Sequence, residues 1–191
     1  MLISRRKFIQ NIAITTIGAQ WFFSCNDAAP SPFKFFTNQE ARTLGSICNQ
    51  IIPEDDLPGA VEAGALDYID LLLTKKQIQL KAVYRNGLES VENSCVKIYG
   101  QKLSEINDDK QITFLELMER NNLDETLWNG MPSNFFQMVR KHTIEGYFSH
   151  PRHGGNKHLA GYRLLEYNYV EVQLEYRFMD MNFKDTNNKS E

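Results

Sequence analysis

The stretch from Leu80 to Gly100 constrains this chain most. Leu80, Tyr84, Leu88, Val91, Cys95 and Ile98 recur at spacings of three and four, which sets them along one face of a helix, and Gly100 supplies the stop. A helix with one apolar stripe must bury that stripe against other elements, because it is marginal alone in water. The flanking sequence supplies partners. Thr37-Asn38-Gln39-Glu40 reads as a capping box, followed by Ala41, Leu44, Cys48 and Ile51 at helical spacing. Pro53 ends that helix by pushing Ile52 out of the helical region. A second helix is expected from near Ala60, with Val61, Ala65, Ile69 and Leu72 on one face. Asn107 suits the cap of a helix through Ile112, Leu115 and Met118, and residues 121–130 read as a polar connection. Pro132 opens a last helix whose face is Phe135, Phe136, Val139, Thr143, Gly146 and Tyr147. The pattern predicts a mainly α chain with a single helical domain over residues 35–183.

Both ends depart from this pattern. Near the C-terminus, Val170, Val172, Leu174, Tyr176 and Phe178 alternate with Glu171, Gln173, Glu175 and Arg177. That period of two predicts an extended or β-like C-terminal arm, either an edge strand or an arm laid on a partner. Residues 184–191 are expected to be disordered. At the N-terminus, Ser4-Arg5-Arg6-Lys7-Phe8-Ile9 sets paired arginines before an apolar run, as a twin-arginine export signal requires. The run from Phe8 to Phe23 is diluted by Gln10, Asn11, Thr15, Thr16 and Gln20, and it is a poor membrane anchor by itself. It closes on Phe22-Phe23-Ser24-Cys25, where a small residue before a cysteine resembles a lipoprotein cleavage site with Phe22 in the place usual for Leu. Residues 1–25 are therefore read as a signal and lipoprotein leader, with Arg5 and Arg6 as export signal and Cys25 as the lipidated residue. Residues 26–34, with Pro30 and Pro32, form a tether. The reading places the protein on the periplasmic side, membrane-anchored through lipid, after passage through the twin-arginine translocase.

Composition removes several function classes. The chain has 191 residues, is 42% hydrophobic and 24% charged, and carries a net charge of -3. That balance fits one soluble body plus a leader and gives no reason to expect nucleic acid as a partner. Three cysteines are too few and too scattered for a disulfide scaffold.

Several segments taken together resemble the gluconate 2-dehydrogenase subunit 3 family. They are Phe35-Phe36-Thr37-Asn38-Gln39-Glu40, Ile51-Ile52-Pro53-Glu54-Asp55, Pro58-Gly59-Ala60-Val61-Glu62-Ala63-Gly64 and Tyr68-Ile69-Asp70. The most specific strings come later: Phe135-Phe136, Thr143-Ile144-Glu145-Gly146-Tyr147-Phe148 and Pro151-Arg152-His153-Gly154-Gly155-Asn156. The likeness spans about residues 35 to 165. It implies a helical, non-catalytic accessory subunit that accompanies a large FAD-dependent oxidoreductase of the glucose-methanol-choline type. A cytochrome c subunit carrying haem often completes such a complex. The resemblance also implies that the small subunit carries the twin-arginine signal for a large subunit lacking one. The chain departs from the family near its end, where Tyr162 stands near an expected tryptophan and the alternating arm replaces a Pro-Gly-type ending.

The residues themselves carry no cofactor motif. There is no Gly-x-Gly-x-x-Gly after a strand for a flavin pyrophosphate, no Cys-x-x-Cys-His for haem, and no cysteine cluster for iron–sulfur. His142, His150, His153 and His158 are all the histidines of the chain and lie in one segment. Three imidazoles could ligate a metal in an independent enzyme, but their spacing matches no zinc pattern, and a structured loop against a partner is favoured. Gly154-Gly155-Asn156 permits positive φ and close approach of another chain. Pro151, Arg152, His153, Gly154, Gly155 and Asn156 are therefore the partner-contact candidates, against a plain tight turn. Cys48 and Cys95 read as buried thiols, with a bond between them as the alternative. Glu54-Asp55-Asp56 reads as a solvated turn, and Tyr84, Phe135 and Phe136 as core. A lipid-anchored binding module without a redox partner is the competing reading of the whole.

Overall fold

A computed structural model describes residues 30–167. The leader, Arg5, Arg6, Cys25, the alternating arm and the 184–191 tail lie outside the described residues. From Ser31 onward the described residues belong to one compact unit. Among them there are six α-helices and no strand: α1 (Asn38–Ile51), α2 (Ala65–Leu71), α3 (Lys81–Tyr99), α4 (Asp108–Glu119), α5 (Pro132–Phe148) and α6 (Ala160–Leu164). None of them is long and apolar enough to cross a membrane.

Local sequence sets most of the boundaries. The Thr37 hydroxyl accepts the Glu40 N–H at 3.2 Å, while the Glu40 carboxylate accepts the Thr37 N–H at 2.8 Å, completing the expected capping box. Ile52 is extended, as the residue before a proline should be. The Asn107 side chain accepts the Lys110 N–H at 3.1 Å and caps α4. Gly100 ends α3 at φ 71°, and Pro132 stands in the first turn of α5.

The second helix differs from expectation. It starts at Ala65, after residues 60–64 have formed turns, because its cap Gly64 stands at φ 83° and interrupts any helix through it. Val61 is accordingly exposed and not on the core face. α2 then runs into a π-helical turn at Leu72–Lys76 and a 3-10 turn at Ile78–Leu80 before α3 begins. The expected stripes are also shorter than the spacing suggests: Ile98, last of its stripe, and Ile112, first of its own, are exposed.

α5 is the central element and packs against α1, α2, α3, α4 and α6. Phe135, Phe136, Val139, Thr143, Gly146 and Tyr147 are all buried, each large apolar side chain contributing about 1.5–3 kcal/mol on burial. Gly87 is what lets α3 approach, since a Cβ there would overlap the Phe135 ring. A T-shaped aromatic series runs Phe35, Phe36, Tyr84 and Phe135, with neighbouring centroids 4.9, 5.9 and 5.8 Å apart. The 121–130 connection is less polar in place than in sequence. Leu123 is buried, and Trp128 rests near Phe135 while its indole N–H donates to Ser94 Oγ at 3.0 Å.

Buried polar groups tie the body to its N-terminal entry. Asp70 on α2 is buried, and its carboxylate accepts N–H groups from Lys34 at 3.0 Å, Phe35 at 2.8 Å and Phe36 at 3.3 Å. The end of the expected tether is thereby fixed to the helical body. Similarly, the buried Gln111 amide donates to Leu103 O at 3.0 Å and Ile106 O at 3.1 Å, closing the loop before α4. Cys48 and Cys95 are both free and buried, in agreement with the thiol reading. Burial pushes the Cys48 thiol up to about 12, and its sulfur lies 3.2 Å from Thr143 Oγ1. Glu54, Asp55 and Asp56 are exposed, and Asp55 accepts the Leu57 N–H at 2.9 Å in a turn.

Candidate functional site

The four histidines separate into two environments. His142 faces the core from α5, where its ring stacks on Tyr84 at 5.9 Å and its Nδ1 lies 2.8 Å from the Tyr84 hydroxyl. Burial lowers the His142 pKa, with Glu145 opposing and Lys141 adding to the shift, while burial raises the Tyr84 pKa well above its ordinary value. The phenol and the imidazole thus share one buried hydrogen bond between the Tyr84 hydroxyl and His142 Nδ1. His150 and His153 sit together on the loop after α5, their rings 6.4 Å apart. His158 stands further along, exposed and at φ 56°. Among the described residues no group of three His, Cys, Asp or Glu side chains converges as metal ligands would.

The loop from Ser149 to Leu159 is held by its own backbone bonds. His150 caps a 3-10 turn, its Nδ1 accepting the Arg152 N–H at 3.2 Å, and Pro151 fills the first position. Asn156 is fully buried and, besides accepting the Leu159 N–H on its carbonyl at 3.0 Å, makes three bonds that tie the loop to its surroundings. Its N–H donates to Gly146 O at 2.9 Å, its amide donates to Ser149 O at 2.9 Å, and its side-chain oxygen accepts the Gly161 N–H at 2.9 Å. Gly155 must be glycine, because a Cβ would drive into the Gly146 carbonyl. The Lys157 N–H donates to Ala63 O at 2.8 Å, and its ammonium pairs with Asp67 at 2.7 Å, stapling the loop to α2. The close approach expected of the two glycines is thus made to this chain's own α5 and α2. Gly155 and Asn156 lie inside, whereas Arg152 faces outward and Pro151, His153 and Gly154 are half-buried.

That outward part borders a groove of about 540 Å³, to which Lys76, Tyr68 and the C-terminal Tyr162, Leu165 and Tyr167 also contribute. Arg152 Nε donates to His153 Nε2 at 3.3 Å. Burial lowers the His153 pKa first, and the nearby charges of Lys76, Arg152 and His150 lower it further. Tyr68 donates to Glu145 at 3.3 Å, and burial and that carboxylate raise its pKa. Among the described residues no carboxylate lines the groove. A separate apolar groove of about 420 Å³ lies between α3 and α5, walled by Val83, Gly87, Trp128, Met131 and Phe135. Lys76 and Tyr167 escaped the sequence reading, because nothing local places the end of the α2 turn beside residues ninety positions later. The Lys75-Lys76 pair was the one available signal.

The chain belongs to the gluconate 2-dehydrogenase subunit 3 family, whose model it matches over residues 38–168. No curated protein and no solved structure matches it.

Proposed function

We propose that this protein is the non-catalytic small subunit of an exported FAD-dependent dehydrogenase of the glucose-methanol-choline type, such as gluconate 2-dehydrogenase. Family membership across the whole helical body carries this reading. The large partner holds the FAD, and a cytochrome c subunit with haem receives its electrons. This chain supplies the address: Arg5 and Arg6 engage the twin-arginine translocase, and lipid on Cys25 keeps the assembly at the periplasmic face of a membrane. The contact surface includes Pro151, Arg152, His153 and Gly154. Gly155 and Asn156, though part of the same string, act from inside by fixing the loop's shape.

The Asp70 carboxylate holds the N–H groups of Lys34, Phe35 and Phe36, so the segment that leads into the helical body is fixed to it from Lys34 onward. Export is tested with Arg5→Lys/Arg6→Lys. The variant should deplete the large dehydrogenase subunit from the periplasm along with this chain. Normal periplasmic levels of the large subunit would refute the escort role.

A further inference from the structure

The groove between α3 and α5 has no charged residue in its described lining. Its apolar part is Trp128, Phe135 and Met138, with Val83 and Met131 open to solvent at 45% and 62% exposure. Set among these are four uncharged polar side chains: Asn86 and Ser90 on α3, Asn129 before α5, and Asn134 in its first turn. Among the described residues, none of the four has a hydrogen-bond partner for its side chain. Ser90 is the telling one, because it is only 8% exposed and lines the groove with an unspent hydroxyl. A helical serine commonly bonds the carbonyl four residues back, as Ser46 does at 3.2 Å, and Ser90 does not. Trp128 is already fixed, its indole N–H donating to Ser94 Oγ at 3.0 Å and its ring tilted against Phe135. What it brings to the groove is therefore ring surface.

We propose that this groove binds an uncharged sugar ring, packed on Trp128 with its hydroxyls bonded to Asn86, Ser90, Asn129 and Asn134. A pyranose presents C–H groups on its faces and hydroxyls around its edge, and the groove offers the same division. Each sugar hydroxyl both donates and accepts, as does each asparagine amide, so amides on either wall suit it. An apolar anchor from another protein would use the ring surface but strip water from these polar groups and return no hydrogen bonds. A carboxylate or phosphate meets no cation in the described lining. At about 420 Å³ the groove falls in the range of about 300–1,000 Å³ usual for small-molecule sites. The site lies on this chain itself and does not depend on which enzyme accompanies it.

The test titrates the purified full chain with D-glucose, D-galactose and D-mannose, read by saturation-transfer NMR and calorimetry. Saturable binding of at least one is expected at about millimolar affinity, the scale set by ligand efficiency for so small a molecule. Magnetisation should pass from aromatic protons of the protein to C–H protons of the sugar. Asn86→Ala/Asn134→Ala should weaken binding by about tenfold or more, while Gln101→Ala, past the far end of α3, should leave it unchanged. Asn86 and Asn134 are exposed, so this variant tests the site even if Trp128→Leu fails to fold, and thermal melting checks each. Sodium gluconate, which adds a charge, and cyclohexanol, which keeps a ring but has a single hydroxyl, should both bind more weakly than the sugar. No saturable binding of any of the three sugars overturns the proposal, as does equal binding by the double variant. Cyclohexanol binding as tightly as the sugar shows a merely apolar groove, and gluconate doing so shows that charge is not selected against; either overturns it. All these results leave the accessory reading standing, since recovery of a flavoprotein with the chain tests that separately.

Discussion

Asp70→Asn isolates the device that fixes the entry segment to the helical body. In the native protein Oδ1 accepts from Phe35 and Phe36, and Oδ2 accepts from Lys34. An asparagine oxygen can replace Oδ1, but the amide NH2 then faces the Lys34 N–H, donor against donor. The remaining two bonds lose the charge that strengthened them. One lost bond and two weakened ones amount to about 2–3 kcal/mol. For a body of this size that lowers Tm by roughly 6–10 °C. Asp70→Ala should cost more, because it leaves all three N–H groups without this acceptor, and the Phe36 N–H is buried. Urea unfolding gives the free energies, and amide exchange at Phe35 and Phe36 reports the local release. A change under about 0.5 kcal/mol in both variants, or exchange that does not accelerate, would show that Asp70 does not hold the segment.

Three further outcomes follow from the geometry. Gly155→Ala should destabilise by about 3 kcal/mol, since its Cβ meets backbone at Gly146 that cannot swing aside, and calorimetry of the variant checks this. Tyr84→Phe removes the hydroxyl that bonds His142 Nδ1 and leaves that buried ring nitrogen without its partner, a loss of about 1–3 kcal/mol readable by urea titration. The lowered pKa of His142 makes stability depend on pH. The unfolded chain takes up a proton near the ordinary value of 6.5 before the folded one does, so this contribution is complete above 6.5 and is lost as pH falls through the lowered folded value. His142→Gln should flatten the fall in stability between neutral and mildly acidic pH; an unchanged slope would contradict the assignment.

Local signals were legible where they act over a few residues. The capping box at Thr37, the Asn107 cap, the Gly100 stop and Pro132 each fix a boundary through neighbours in sequence, and α1, α3, α4 and α5 were readable for that reason. The buried face of α5 was readable from its spacing. The onset of α2 was not, because the apolar positions from Ala60 onward look helical while Gly64 adopts a left-handed conformation. Asp70 stood in the sequence only as part of the Tyr68-Ile69-Asp70 string, and only the fold brings it to amides 34 to 36 residues away. Gly154 and Gly155 were read as permitting the close approach of another chain, and spacing could not say that Gly155 is needed for its approach to Gly146 of the same chain. His142 was grouped with three other histidines by sequence proximity, although one helical face carries it into the core and the rest follow the loop outward.

The central claim is tested most directly by affinity purification of the tagged full chain from native membranes, followed by flavin absorbance and mass spectrometry of what accompanies it. The account predicts a large FAD-bearing dehydrogenase in near-equal amount. Recovery of the chain without any flavoprotein, under conditions where it is folded and membrane-bound, would contradict it.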